Sequence, residues 1–303
     1  MAGNFDNSQV VRELESSLAA KLAHVRFGTL QFEEISRKAG LKVGSLDWES
    51  SNGPTQFRIG HFGFKRLYDG DAPDFESIDL IFWPSKSGTG VQRLDAKRWT
   101  EEVPDHLERI EAYRFGDRLI ECGAARFVGN RTWPAARIFR LKGERWNRVA
   151  NQDPGYPVGS ARFARRNGRI DPNRIVSVTF RDWHLSSPAG GPHLQYEQIW
   201  YVSGYHFRLG KAKLVPTAYA ELDLLKGFAD RRDRRSFDAE VPKGFRDRLW
   251  SLMRRAGASF WWSERQANGT RESFRAEEGA EDKHAPVVSL EKRLGLWRVS
   301  GID

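Results

Sequence analysis

The residue types best suited to chemistry follow one predicted strand. Its apolar residues alternate along a face that we take as inward, Val176, Val178 and Phe180. Asp182 and His184 continue this face, and Glu197 follows the loop 186–192. An aspartate beside a histidine can orient an imidazole for general-base work. Asp182, His184 and Glu197 are therefore candidates for a hydrolase-like site without an obvious nucleophile; the alternative is that Asp182 caps the turn and His184 lies at the rim.

Tryptophan supplies the candidate ligand contacts. Trp261 and Trp262 are adjacent on a predicted strand, so one indole faces the core and the other faces solvent or a partner. Trp183, between Asp182 and His184, is the third candidate. An exposed indole on a β-rich scaffold suits stacking on a sugar ring or contact with another protein. The expected partner is therefore a protein or a carbohydrate.

Neither a metal ion nor a cofactor is expected. The histidines lack the spacing of a zinc site, whether His61, His184, His193 or His206. The glycines of the turn 86–90 are too closely spaced for a phosphate-binding loop, and no helix opens after them. The sequence therefore favours a non-catalytic binding protein.

The segment 34–46 supports an alternative function. It resembles the helix-turn-helix of bacterial repressors, with a glycine turn at Gly40 and the cations Arg37, Lys38 and Lys42. This resemblance implies a DNA-binding regulator. A helix that ends at a glycine before a strand explains the same residues.

The charge and the cysteine content of the chain place only weak limits on its function. The 303 residues carry a net charge of +9, and the cations are mostly arginine. Such a balance suits nucleic acid or anionic surfaces, but it also describes a solvated shell. Cys122, the one cysteine, lies in a predicted strand as a small buried hydrophobe. Without an apolar leader the expected compartment is the cytoplasm, or outside it if a targeting segment was removed.

Helical periodicity precedes a long series of strands. The spacing predicts helices at 8–25, 32–39 and 99–113, and strands at 56–67 and 77–83. From 117 to 214 strands and turns recur, with predicted hairpin tips at Lys142-Gly143, Asn167-Gly168 and Ser203-Gly204 and a unit that ends at Asp171-Pro172-Asn173; a further hairpin tip is predicted at Leu294-Gly295. The period changes at Pro216, where Thr217 is a predicted helix cap. Helices are predicted from there to residue 253, and strands from residue 259 onward.

The last ninety or so residues carry a resemblance to a known fold. Thr217 to Leu222, Phe228 to Asp233 and the final Leu296 to Ile302 are similar to the nuclear-transport-factor-two-like, cystatin-like cone. It is similar to versions of that cone appended to β-rich regions of exported bacterial proteins. Catalytic members hold an acid inside the cone, often with Tyr or Arg, and no such residue is carried over. The resemblance therefore implies an accessory cone.

The predicted fold class is α+β and β-rich. N-terminal helices (1–50) precede an antiparallel meander or open-barrel-like region (51–214) and a small α+β cone (215–303). In the last strand, alternation places Trp297 and Val299 in the core and Arg298 on the surface. Arg298→Ala should then change the free energy of unfolding by less than about 0.5 kcal/mol.

Overall fold

A computed structural model describes most of the chain. The described residues are 7–29, 43–50, 56–65, 75–96, 107–126, 132–152, 158–181, 193–255, 260–278 and 285–303. Their helices are α1 Asn7–Leu22, α2 Ala218–Asp230, α3 Arg234–Glu240 and α4 Arg246–Arg255, with 3-10 turns at Phe27–Thr29 and Lys243–Phe245. None of these helices combines the length and apolar character needed to span a lipid bilayer.

Strands outnumber helices, which confirms the β-rich class. They are β1 Val43–Ser50, β2 Arg58–Lys65, β3 Phe75–Pro84, β4 Thr89–Ala96, β5 Leu107–Phe115, β6 Arg118–Arg126, β7 Thr132–Lys142, β8 Arg145–Gln152, β9 Gly159–Arg166, β10 Arg169–Arg181, β11 Leu194–Ser203, β12 His206–Leu209, β13 Lys213–Leu214, β14 Phe260–Ala267, β15 Arg271–Glu278, β16 Val287–Arg293 and β17 Leu296–Ile302.

The strands form four sheets. Their orders are β1-β2-β3-β4, β5-β6-β7-β8, β12-β11-β10-β9 with β13 beside β11, and β14-β15-β16-β17. Every pairing with a described register is antiparallel. No sheet closes into a barrel within the described residues.

The chain divides into two compact units. The first unit comprises Met1–Ser177 and Ile199–Gly210, and the second comprises Val178–Gln198 and Lys211–Asp303. Strands β10 and β11 therefore each contribute residues to both units. The domain boundaries after residues 50 and 214 stay predictions.

In the first unit the sheet β5–β8 is buried on both faces. One face shares a core with Ile81 and Trp83 of β3, and the other shares a core with Phe163 of β9 and Trp200 of β11. This explains why seven consecutive residues of β7 are buried, where a half-exposed strand would alternate. Cys122 of β6 is fully buried, as predicted.

The hairpin tips were predicted correctly because their turns demand particular residues. Asn167 and Gly168 adopt φ of 52° and 77°, as a two-residue turn between β9 and β10 requires. Leu294 and Gly295 do the same before β17, with φ of 50° and 81°. The tip at Gly204 also has a positive φ.

Two predictions of local structure were wrong. Residues 107–113 form most of strand β5, where a helix was predicted, because a tight turn at Gly116 pairs β5 with β6. The rest of that predicted helix, and the helix at 32–39, lie outside the described residues. Strand β10 continues through Asp171-Pro172-Asn173, where Asp171 Oδ1 accepts a hydrogen bond from the Asn173 N–H at 3.1 Å. That local bond gives the Asn173 amide a partner without ending the strand.

In the second unit, three helices and the sheet β14–β17 share one core. Thr217 caps α2 by accepting a hydrogen bond from the Ala220 N–H at 3.1 Å, as predicted. Leu222 and Leu225 bury the apolar face of this helix. Trp297 is buried in the same core, which confirms the predicted register of β17.

Candidate functional site

The predicted hydrolase-like residues are only partly described. Asp182, Trp183 and His184 lie outside the described residues. Glu197 is half-buried on β11, where its backbone lies opposite Lys213 of β13. The convergence of Asp182, His184 and Glu197 therefore stays a prediction.

The face assigned to β10 was wrong. Ile175 and Ser177 are the buried residues of this strand, whereas Val176 and Val178 are half-buried and Phe180 is 37% exposed. Ile175 belongs to the core shared with the sheet β5–β8, so the buried face is offset by one residue from the predicted one. Alternation indicated the other face because Val176, Val178 and Phe180 are all apolar, whereas the buried face carries Ser177 beside Ile175.

The two adjacent tryptophans lie on β14, and Trp262 is fully buried in the second unit's core. This matches the inward ring that alternation predicts. A fully buried indole offers no face to a ligand, so Trp262 is not a surface contact. Of Trp261 only the backbone is described, opposite Glu277 of β15.

The segment predicted as a helix-turn-helix ends in a strand. Residues 43–46 belong to β1 and pair with β2, so they are not part of a recognition helix. Val43 and Trp48 favour a strand because β-branched and aromatic side chains fit a pleated sheet. Residues 34–42, including Arg37, Lys38 and Lys42, lie outside the described part of the chain.

Among the residues whose side chains are described, no three His, Cys, Asp or Glu lie close enough to hold a metal ion. His193 is half-buried and His206 is exposed at the start of β12. His61 lies on β2, with Asp47 of β1 and Asp79 of β3 at the matching register positions. The register of three strands creates this row, so spacing along the chain did not indicate it.

The strands β9–β12 expose a surface that sequence reasoning missed. We call it the cationic face and define it by Arg162, Arg174, Tyr201 and Arg208. The strand neighbours of these residues all belong to, or pack against, one core cluster. Ala161 and Phe163 flank Arg162, Ile175 follows Arg174, Trp200 and Val202 flank Tyr201, and Phe207 precedes Arg208. Because successive residues of a strand point to opposite faces, the four residues share the outer face of the sheet.

Tyr201 holds two guanidinium groups on this surface. The Cζ atom of Arg208 lies 4.9 Å from the centroid of the Tyr201 ring, and that of Arg174 lies 5.6 Å from it. The two arginines come from the strands on either side of β11. Stacking on one ring fixes both guanidiniums while their N–H donors stay accessible to water or a ligand.

The arginines of the cationic face are not neutralised by ion pairs within the described part of the chain. Among the described residues, no carboxylate pairs with Arg162, Arg174 or Arg208, and all three are exposed. Arg165, two residues before the hairpin turn, differs because it forms a 3.1 Å ion pair with Glu111. The face therefore presents three uncompensated positive charges.

A second arginine-tyrosine pair in the same unit is neutralised. The Cζ atom of Arg140 lies 5.1 Å from the Tyr205 ring centroid, and its Nε contacts Asp117 Oδ2 at 3.3 Å. The Tyr205 hydroxyl donates to the same oxygen at 2.8 Å. Burial and then this hydrogen bond raise the pKa of Tyr205. Arg140 is thus a natural control for the cationic face.

The second unit contains an arginine shared by two acids. Arg298 of β17 donates a hydrogen bond to Glu240 of α3, and its Nη1 atom lies 3.6 Å from Glu221 Oε1. Burial raises the pKa of Glu221, and the charge of Arg298 opposes that rise. The Arg298 side chain is 38% exposed and bonded to acids, so the condition for the predicted small effect of Arg298→Ala, a simple surface position, is not met.

Charged residues also lie inside the first unit. Glu121 of β6 and Arg137 of β7 are buried and occupy opposite register positions, and Asp79 of β3 is buried as well. Opposed charges across two strands can satisfy each other inside a core. A glutamate in the otherwise apolar run 119–124 was the available signal.

The fold class is thus a β-rich protein with antiparallel sheets and few helices. No protein-family model matches the chain, and a search of curated proteins finds no match either.

Proposed function

We propose that the protein is a non-catalytic binding protein that binds an anionic polymer on its cationic face. The observation that carries this proposal is the pair of guanidiniums held on Tyr201 without a carboxylate partner among the described residues. The net charge of +9 acts in the same direction, since it attracts polyanions over a distance of about a Debye length.

Preorganisation makes this surface suitable for binding. A free arginine side chain loses about 2 kcal/mol of rotamer entropy when it is fixed, and stacking on Tyr201 meets part of that cost before the ligand arrives. The planar guanidinium donates two parallel hydrogen bonds to a phosphate or a sulfate. Two such groups on alternate strands suit a repeating anion better than a single small one.

We assign the second unit the role of an accessory module with the nuclear-transport-factor-two-like cone fold. This assignment rests on the resemblance of residues 217–222, 228–233 and 296–302; the second unit contains three helices followed by a four-stranded antiparallel sheet. Its partner, a protein or a carbohydrate that contacts Trp261, stays a prediction. The same holds for the enzymatic alternative with Asp182 and His184, and for the DNA-binding alternative through residues 34–46.

Heparin binding tests the proposal because heparin is a polyanion without nucleobases. We expect the double variant R174A/R208A to bind heparin at least tenfold more weakly than the unchanged protein, with a shallower dependence on salt. The matched control is Arg140→Ala, which removes an arginine that also stacks on a tyrosine but is bonded to Asp117. Equal losses in both variants, or no loss in R174A/R208A, would contradict the proposal.

A further inference from the structure

We infer that the anionic polymer is a single-stranded nucleic acid that lies across strands β9–β12. This inference rests on the proposed function, since it names the ligand of the same cationic face. Three properties of the face support it: the planarity of its charged groups, its apolar residues and its width.

The charged groups of the face are planar. Nucleobases stack on aromatic rings and on guanidinium planes, and this stacking depends little on the base. A sulfated sugar has no planar π face to match, so it uses the charge and the N–H donors of the guanidinium but not its stacking surface. The packing of Arg174 and Arg208 on Tyr201 therefore adds a contribution that a nucleic acid can use and a polysaccharide cannot.

Apolar residues accompany the charged ones on the same face. Val176 lies two residues after Arg174 on β10, and Ile199 lies two residues before Tyr201 on β11, so alternation places both on the outer face. Both are half-buried, and so part of each is open to solvent. Unstacked bases that contact these side chains lose unfavourable exposure to water. A ligand that bears only charges gains nothing there.

The width of the face favours a single strand over a duplex. Neighbouring strands lie about 4.8 Å apart, so the four strands β9–β12 span about 14 Å. A major groove is about 12 Å wide and admits a helix or a two-stranded ribbon. An open sheet can instead spread the bases of a single strand over its surface, as four-stranded RNA-binding sheets do.

Replacing arginine by lysine separates charge from planarity. Lysine keeps the positive charge but has neither the planar π surface nor the forked donors. We therefore expect R174K/R208K to retain heparin binding within about threefold, whereas its affinity for twelve-nucleotide oligo(dT) and oligo(rU) falls at least tenfold. Fluorescence anisotropy with labelled oligonucleotides measures the loss, and Arg140→Lys is the matched control that should leave both ligands unaffected.

The salt dependence gives a second readout. Each phosphate neutralised on a single strand contributes about −0.7 to the slope of log affinity against log salt. R174A/R208A should therefore flatten the slope for oligo(dT) by about 1.4, if each arginine contacts one phosphate. A duplex of equal length should bind more weakly than either oligonucleotide.

The outcomes distinguish this inference from the proposed function. If R174K/R208K loses heparin and oligonucleotide binding equally, or loses neither, planarity has no role and the inference is overturned while polyanion binding stands. Tighter binding of the duplex also overturns the inference alone. If the unchanged protein binds neither heparin nor any oligonucleotide, both the inference and the proposed function fail.

Discussion

The cationic face of the first unit and the helix–sheet core of the second unit use arginine in different ways. In the second unit Arg298 lies between two glutamates, and Arg248 and Arg254 donate to the backbone carbonyls of Ile302 and Ala229 at 2.9 and 3.2 Å. On the cationic face of the first unit, Arg174 and Arg208 contact a tyrosine ring and no acceptor among the described residues. Arginines of the first kind complete the fold, whereas those of the second kind keep their donors for a ligand.

This difference has a thermodynamic consequence. Removing one partner of a partly buried ion pair leaves the other charge without compensation, which lowers the free energy of unfolding. Removing an exposed arginine that has no acceptor exchanges one hydrated surface for another. Stability measurements can therefore separate structural arginines from those that bind a ligand.

The largest expected effect on stability is that of removing the buried Trp297 side chain from the core of the second unit. Trp297→Ala removes a buried indole from the core and should lower the free energy of unfolding by about 3–5 kcal/mol. Urea unfolding followed by tryptophan fluorescence measures the change. A loss below about 1 kcal/mol would mean that β17 contributes little to this core, and the comparison of arginines on it would lose its basis.

The next effect concerns the arginine beside Trp297. Arg298→Ala leaves Glu221 and Glu240 without their shared cation, and we expect a loss of about 1–3 kcal/mol at neutral pH. The control is Arg293→Ala, which breaks an exposed pair with Glu291 and should cost less than about 0.5 kcal/mol. Equal losses for the two variants in thermal melts would restore the earlier view of Arg298 as surface.

The pH dependence of the free energy of unfolding tests whether Glu221 causes the loss of stability in Arg298→Ala. Burial raises the pKa of Glu221 above 4.5, so near that pH the folded state keeps a proton that the unfolded chain has lost. The contribution of Glu221 to stability is therefore greatest below pH 4.5 and falls as the pH rises through the folded-state pKa. In Arg298→Ala this fall should be larger and extend to higher pH, because Arg298 no longer opposes the rise in pKa. Unfolding of both proteins from about pH 4 to pH 7 measures it, and a pH-independent difference would exclude Glu221 as the cause.

Local rules predicted the parts of the fold that depend on few residues. The turn at Asn167-Gly168 and the Thr217 cap each need a particular backbone conformation or side-chain acceptor, and both were predicted from the sequence alone. The register of Trp297 also followed from alternation, because Trp297 and Val299 share one face of β17 while Arg298 and Ser300 lie on the other. These features require no knowledge of distant contacts.

Features that depend on pairing between strands could not be predicted in this way. Residues 107–113 have helical spacing, but pairing with β6 overrides it. On β10 the apolar series Val176, Val178 and Phe180 lies on the less buried face, so alternation alone chose the wrong one. The cationic face brings together strands whose key residues are 46 positions apart, from Arg162 to Arg208, and only the sheet order shows that they share a surface.

The smallest expected effect on stability is that of removing Arg174 and Arg208, and it tests whether these arginines differ from Arg298. R174A/R208A removes two guanidiniums that contact only the Tyr201 ring among the described residues, so the free energy of unfolding should change by less than about 0.5 kcal/mol per site. Each lost cation–π contact at an exposed site is worth only about 0.5–1 kcal/mol, and relief of repulsion between two like charges offsets part of that loss. Melting curves at low and high salt measure both contributions, since salt screens the repulsion but not the packing. A loss above about 2 kcal/mol would show that these arginines are structural, like Arg298, and the distinction between the two units would fail.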